Sequence, residues 1–209
     1  MFEGKSFLDI LQLGGFTMYI LLICSIVTVT VIVERLMYFK KKSRIRCVDI
    51  MRQLAEALSR NDLARARALC EKEDTPFANV AGAGLKAADK SREKIANAMD
   101  RQISAEVMDL ERSLSVLGTI GSTVVYIGLF GTVLGIIRSF QQIAESAGGG
   151  SGMDTVIAGI AEALICTATG ILVAVPAVLA YNLFTKRVEN FTTDMELVAS
   201  ETGDRLARA

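Results

Sequence analysis

The chain has 209 residues, 23 basic and 23 acidic side chains, no net charge and no histidine. The lack of His excludes a Ser-His-Asp triad, a His–Cys pair and any His-ligated metal site, and the balanced charge gives no case for a nucleic-acid partner. Hydrophobic residues make up 51% of the chain beside 22% charged, at a mean hydropathy of +0.39, so the two must be segregated along it, as in a membrane protein.

Residues 1–15 carry Phe2, Phe7, Leu8 and Leu11 near one face ahead of Gly14–Gly15. This is expected to be a short amphipathic segment lying in the outer interface. Residues 16–38 read as the first transmembrane helix, since no charge falls between Asp9 and Glu34. Acidic residues precede the run, a basic cluster follows it, and no small-residue cleavage site is present, so it reads as a span and not a secretory signal.

Residues 39–112 read as a helical domain. Val48, Met51, Leu54, Ala55 and Leu58 repeat at helical spacing, and Asn61–Asp62 cap a helix containing Leu63, Ala66 and Leu69. Thr75–Pro76 starts a third short element, which Gly82 and Gly84 are expected to loosen. From Ser91, read as an N-cap, Ile95, Met99, Ile103, Val107, Leu110 and Leu114 recur at steps of three and four. Asp100, Arg101, Glu106, Asp109, Glu111 and Arg112 take much of the remaining surface. The pattern predicts one continuous helix from Ser91 to about Ala144, roughly 80 Å long at 1.5 Å per residue.

The second span is read at 113–140, with no charge from Ser113 to Ile137, and a loop at 141–154 follows. The third span, 155–185, has Glu162 as its only charge. The tail, 186–209, continues that helix through Val188, Phe191, Met195 and Val198. Each span reaches the roughly 20 residues that cross about 30 Å of hydrocarbon. The fold class is therefore an all-α integral membrane protein, with three transmembrane helices and long cytoplasmic helical extensions.

Orientation follows from the basic residues flanking each span. Lys5 alone precedes the first, whereas Arg35, Lys40, Lys41, Lys42, Arg44 and Arg46 follow it. Arg138, at the end of the second span, is the only basic residue near the connection to the third, and Lys186 and Arg187 follow the third. The N-terminus and the 141–154 loop are expected outside, the middle domain and the C-terminus inside. With Cys24 and Cys166 in spans and Cys47 and Cys70 in the reducing compartment, no structural disulfide is expected.

Two rows of small residues mark the spans. The second span carries Gly118, Gly121, Val125, Gly128, Thr132, Gly135 and Ser139 on one narrow face; the third carries Ala163, Thr167, Gly170, Ala174 and Ala177, with Tyr181 at its end. Two readings stand: close helix packing, or the lining of a central cavity in an oligomer, with Thr132, Thr167 and Thr169 offering hydroxyls. Glu162, about two turns inside the third span, costs roughly 2.5–3.5 kcal/mol there if ionised and unpaired. It reads as an ion- or proton-handling group, against a structural or snorkelling carboxylate. Pro176 sits inside the third span, as a flexing kink or a static bend. One Glu and a few hydroxyls do not make a proton relay, so a second titratable group would have to come from another chain.

The stretches Tyr126-Ile-Gly-Leu-Phe-Gly-Thr-Val-Leu-Gly-Ile-Ile-Arg-Ser-Phe140, Gly159-Ile-Ala-Glu-Ala-Leu-Ile-Cys-Thr-Ala-Thr-Gly170 and Val175-Pro-Ala-Val-Leu-Ala-Tyr-Asn182 closely resemble the ExbB/TolQ branch of the MotA/TolQ/ExbB proton-channel family. The resemblance implies an inner-membrane motor stator and not an enzyme. It implies a homopentamer around the helices of an ExbD- or TolR-type single-span partner carrying a membrane Asp, with proton flow driving a TonB- or TolA-type protein. It also implies polar pore positions at Thr132, Thr167 and Glu162, a span-three proline at Pro176, and no cofactor besides the transported ion. Gly128, Gly135 and Gly170 would shape the pore wall. Two positions depart from the family pattern: Val125 stands where Pro is usual, removing a kink from the second span, and Cys166 stands where Ala is usual. Three spans argue against the four-span flagellar stators. The rival reading is a non-conducting scaffold whose polar residues only pack helices.

Overall fold

The computed structural model describes residues 15–42, 47–60, 62–145 and 152–207, and all regular structure among them is helical. The helices are α1 (Gly15–Lys42), α2 (Cys47–Ser59), α3 (Leu63–Lys72), α4 (Pro76–Lys86), α5 (Arg92–Glu111), α6 (Leu114–Glu145) and α7 (Gly152–Leu206). The amphipathic segment expected before residue 15, Asn61 and residues 146–151 of the 141–154 loop lie outside the described residues. Helices α1, α6 and α7 are long and apolar enough to cross a membrane. The chain divides into two units: Met1–Val33 with Ser113–Asn182, and Glu34–Arg112 with Leu183–Ala209.

In the first unit the three apolar helices close on Met18, Leu21, Val124, Val173 and Ala174, with Ile120, Val125 and Ile165 packed against them. Their outer faces stay apolar: Phe16, Ile26, Phe130, Leu172 and Leu179 are all more than half exposed. Such a surface calls for lipid or another protein chain.

The second unit is built on local signals that the sequence carries plainly. Asp62 accepts from Arg65 N at 2.9 Å to start α3, and Thr75 accepts from Ala78 N at 3.3 Å to start α4, with Pro76 in its first turn. Ser91 holds the N-cap position of α5 without a side-chain cap bond. The apolar face of α2 is Cys47, Ile50, Leu54, Ala57 and Leu58; Val48, read as part of it, is 69% exposed. Stacked rings fill the centre, Phe39 on Phe184 and Phe77 on Phe191, each with centroids 5.5 Å apart.

Three expectations are corrected here. Gly82 and Gly84 do not loosen α4, which runs through both. A Cβ on Gly84 would lie 2.7 Å from Met99 Sδ, so this glycine lets α4 and α5 approach. Glu106 is not surface: it is 7% exposed, and its Oε1 accepts from Asn79 Nδ2 at 2.7 Å and Gln102 Nε2 at 3.0 Å. The helix expected to run unbroken from Ser91 to Ala144 ends at Glu111 and restarts at Leu114. Arg112 is extended (ψ 135°) and Ser113 is left-handed (φ 68°), the backbone of a type II turn, which normally wants Gly at its third position.

Arg35 supplies the reason the break is tolerated. Counted from sequence only as a topology charge, it is 3% exposed. Its Nη1 donates to the carbonyls of Asp109 and Leu110 at 3.2 and 3.3 Å, its Nε meets Glu34 at 2.7 Å, and its guanidinium lies over the Tyr38 ring. A cation therefore satisfies the last carbonyls of α5 where the macrodipole is negative. Arg35→Met is expected to lower unfolding stability by about 1–3 kcal/mol through the orphaned carbonyls, measured by chemical denaturation in detergent. Ser113→Gly should raise it by about 1 kcal/mol by removing the left-handed cost.

Burial pushes the Cys47 and Cys70 thiols up to about 11, helped by Asp194 and Glu201 for the first and Glu71 for the second. A raised folded-state value means the folded chain holds these protons longer than the unfolded one. That stability is full below the ordinary thiol value of about 8.5 and is lost as pH rises towards 11. Both thiols should therefore alkylate far more slowly at pH 8.5 in the folded protein than in the urea-unfolded chain, read by mass spectrometry of each peptide.

Candidate ion-pathway site

The small rows of α6 and α7 meet each other within one chain. A Cβ on Gly128 would stand 2.9 Å from Cys166 O and 3.3 Å from Gly170 Cα; one on Gly170 would stand 3.0 Å from Val124 O. A Cβ on Gly135 would lie 2.6 Å from Ala163 Cβ, and Ser139 Oγ fills the space a side chain at Gly159 would need. Nearer the other end, Gly118 faces the Tyr181 ring and Gly121 faces Val178. The contact is thus backbone to backbone at its centre, with Ala163, Ala174 and Ala177 all at most 4% exposed. Of the two readings, close packing describes these glycines and alanines.

At that centre the Thr132 and Thr167 hydroxyls bond to each other. Both also reach Gly128 O at 3.2 Å, and Thr132 reaches Ala163 O at 3.3 Å. Both residues are only half-buried. Two hydroxyls bring two protons and four lone pairs. One proton serves the mutual bond and the other a carbonyl, so three lone pairs remain to accept from a water or a protonated carboxyl.

The other sequence-selected residues lie elsewhere. Half-buried Glu162 lines a cavity of about 180 Å³ with Thr17, Arg138, Ser139 and Gln142. Glu162 and Arg138, the charges that the sequence places inside the second and third spans, thus share one polar space at the end of the α6–α7 contact. Thr169 donates to Ile165 O at 2.8 Å within its own helix and faces a groove against α1, beside Pro176. Two residues apart, Thr167 and Thr169 point about 200° apart around a helix, so they cannot serve one narrow path. Pro176 is accommodated inside α7, which continues to Leu206.

Sequence reasoning passed over Arg138, Thr17 and Cys166 as site residues. Thr17 Oγ1 and Cys166 Sγ are 3.7 Å apart, with Gly131 between them: a Cβ there would lie 2.8 Å from Thr17 Oγ1. All three apolar helices converge at this point, which gives Cys166, the departure from Ala, a partner on α1. The available signal was Gly131, Arg138 and Gln142 beside Gly135 and Ser139, a polar and small extension of the same face of α6.

An all-helical chain with three membrane-length helices and a hydroxyl pair set into the contact of the last two is a multi-span membrane protein with polar groups at its helix interface. Residues 72–197 match the MotA/TolQ/ExbB proton channel family. The chain is 31% identical over 215 residues to the biopolymer transport protein ExbB of Neisseria meningitidis, covering 95% of this chain and 93% of that one. It is 50% identical over 101 residues to the Tol-Pal system protein TolQ of Pseudomonas aeruginosa, 48% of this chain and 43% of that protein. It is 40% identical over 100 residues to ExbB of Pseudomonas putida, 48% and 30% of the two chains. The match thus spans less than half the length of either Pseudomonas protein. The chain belongs to the MotA/TolQ/ExbB proton channel family, in its ExbB/TolQ branch.

Proposed function

We propose that this protein is the ion-channel and stator subunit of an ExbB/TolQ-type motor in a bacterial inner membrane. Its copies form a ring, five-fold by family resemblance, around the span of an ExbD- or TolR-type partner. The ring passes protons and works on a TonB- or TolA-type envelope protein. The N-terminus faces outward and the C-terminus the cytoplasm, as the flanking basic residues require.

The observation that carries this reading is the Thr132–Thr167 pair: half-buried hydroxyls with spare lone pairs, in a chain without His. A partner carboxylate supplied in trans would load a proton, hydrogen-bond to this pair while neutral and release the proton beyond it. Glu162, sharing its cavity with Arg138, Gln142 and Ser139, would order water at one end of the route. The bonds from both hydroxyls to backbone carbonyls favour a second reading, a non-conducting scaffold that assembles partner helices.

The test is proton flux into vesicles containing the chain co-expressed with a single-span partner bearing a membrane Asp. The motor reading expects flux that the partner's Asp→Asn change abolishes while the complex still purifies. An intact complex that carries no flux in either form returns the chain to the scaffold reading.

A further inference from the structure

A groove of about 250 Å³ lies between α1 and α7 in the first unit, lined by Leu21, Ser25, Thr28, Thr169, Leu172 and Pro176 among others. Its walls are mostly apolar, yet two polar groups at it lack their usual partners. Thr28 is 2% exposed, and its Oγ1 has no hydrogen-bond partner among the described residues. Thr30, on the same helix, shows the ordinary solution by donating to Ile26 O at 2.8 Å. The second group is the carbonyl of Leu172, whose helical donor would be the N–H of residue 176, a proline without one. A buried hydroxyl without a partner is costly in hydrocarbon, so the groove asks for an occupant carrying oxygen.

Depth and size narrow the occupant. Thr28 lies six residues inside Glu34, roughly 9 Å at about 1.5 Å per residue, within a hydrocarbon layer of about 30 Å. Phospholipid ester and phosphate oxygens stay at the interface and do not reach this depth. The volume falls just short of the ~300 Å³ at which drug-sized pockets begin, which suits one substituted ring and not a whole lipid. We propose that the α1–α7 groove binds the head group of a neutral isoprenoid quinone or quinol. A ring oxygen accepts from Thr28 Oγ1, and in the quinol form a ring hydroxyl donates to Leu172 O. The isoprenoid tail leaves along the exposed faces of Val29 and Leu172. This site is independent of the ion route proposed above, because it faces α1 and does not include Thr132 or Thr167.

The test uses the full-length protein purified in detergent, with decylubiquinone as probe and thermal shift and co-purified quinone as readouts. Wild type and Thr30→Val should bind saturably with the same Kd. Thr28→Val, which keeps shape and loses the hydroxyl, should weaken binding at least tenfold, and Ser25→Leu, which fills the groove, should abolish it. Equal binding by Thr28→Val and wild type overturns the proposal even if Ser25→Leu fails to fold. So does co-purification of phospholipid alone with no saturable probe binding. Rapid disulfide cross-linking of Ser25→Cys between copies, unaffected by the probe, would assign the groove to a second copy of the chain and equally overturn it.

Discussion

Gly128→Leu and Gly170→Leu are each expected to abolish the folded first unit, seen as loss of detergent-extractable monodisperse protein and of a cooperative thermal transition. The atoms that an added Cβ would meet are backbone: Cys166 O at 2.9 Å and Thr167 Cα at 3.2 Å for Gly128, Val124 O at 3.0 Å for Gly170. Backbone of a packed helix cannot rotate away as a side chain can. Overpacking ordinarily costs about 1–3 kcal/mol, and here even Gly128→Ala should reach the upper part of that range. Leu129→Ala, at a position 47% exposed, should be mild. Gly203 gives the opposite control. A Cβ there meets only Met99 Cε at 3.5 Å, so Gly203→Ala should stabilise α7 by about 0.5–1 kcal/mol through helix propensity. Equal tolerance of Gly128→Leu and Gly203→Ala would remove the α6–α7 contact from the account.

Thr132→Ala with Thr167→Ala is expected to leave assembly with the partner largely intact and to lower proton flux by about one to two orders of magnitude. The estimate follows from two hydrogen bonds to a neutral carboxyl, worth about 0.5–1.5 kcal/mol each, at about 1.4 kcal/mol per factor of ten. Each hydroxyl backs the other, so the double variant should exceed the sum of the single effects in free energy. Thr→Ser at either position keeps the donor and acceptors and should retain more flux. Glu162→Gln reports on a separate cavity, so its effect should add to the threonine effects and not replace them. Full flux in the double alanine variant would leave both hydroxyls with helix packing alone.

Much of this was legible without coordinates. Charge-free runs located the three membrane-length helices, because desolvating a charge in hydrocarbon outweighs any local preference. Asp62, Thr75 and Pro76 announced two helix starts by short-range hydrogen bonding. The rows from Gly118 to Ser139 and from Ala163 to Ala177 marked the faces through which α6 and α7 touch, and the motifs around them carried the family. These are periodic or local features, written within a turn or two of the residues they govern.

The remainder depended on groups brought together from far along the chain. No Gly or Pro flags the break at Arg112–Ser113; Arg35, more than seventy residues earlier, caps the end of α5 and makes the turn affordable. Glu106 carries a surface-like sequence signature and is buried only because Asn79 and Gln102 satisfy it. Four residues selected as one pathway, Thr132, Thr167, Glu162 and Thr169, fall into three places: a hydroxyl pair, a polar cavity and a groove against α1. The sequence alone determined which segments are long and apolar enough to cross a membrane and which faces are small, because burial and periodicity act along a helix. Only the tertiary structure decided which polar groups share a space. That depends on how α1, α6 and α7 rotate about their axes, and backbone contacts such as Gly128 on Gly170 set that rotation.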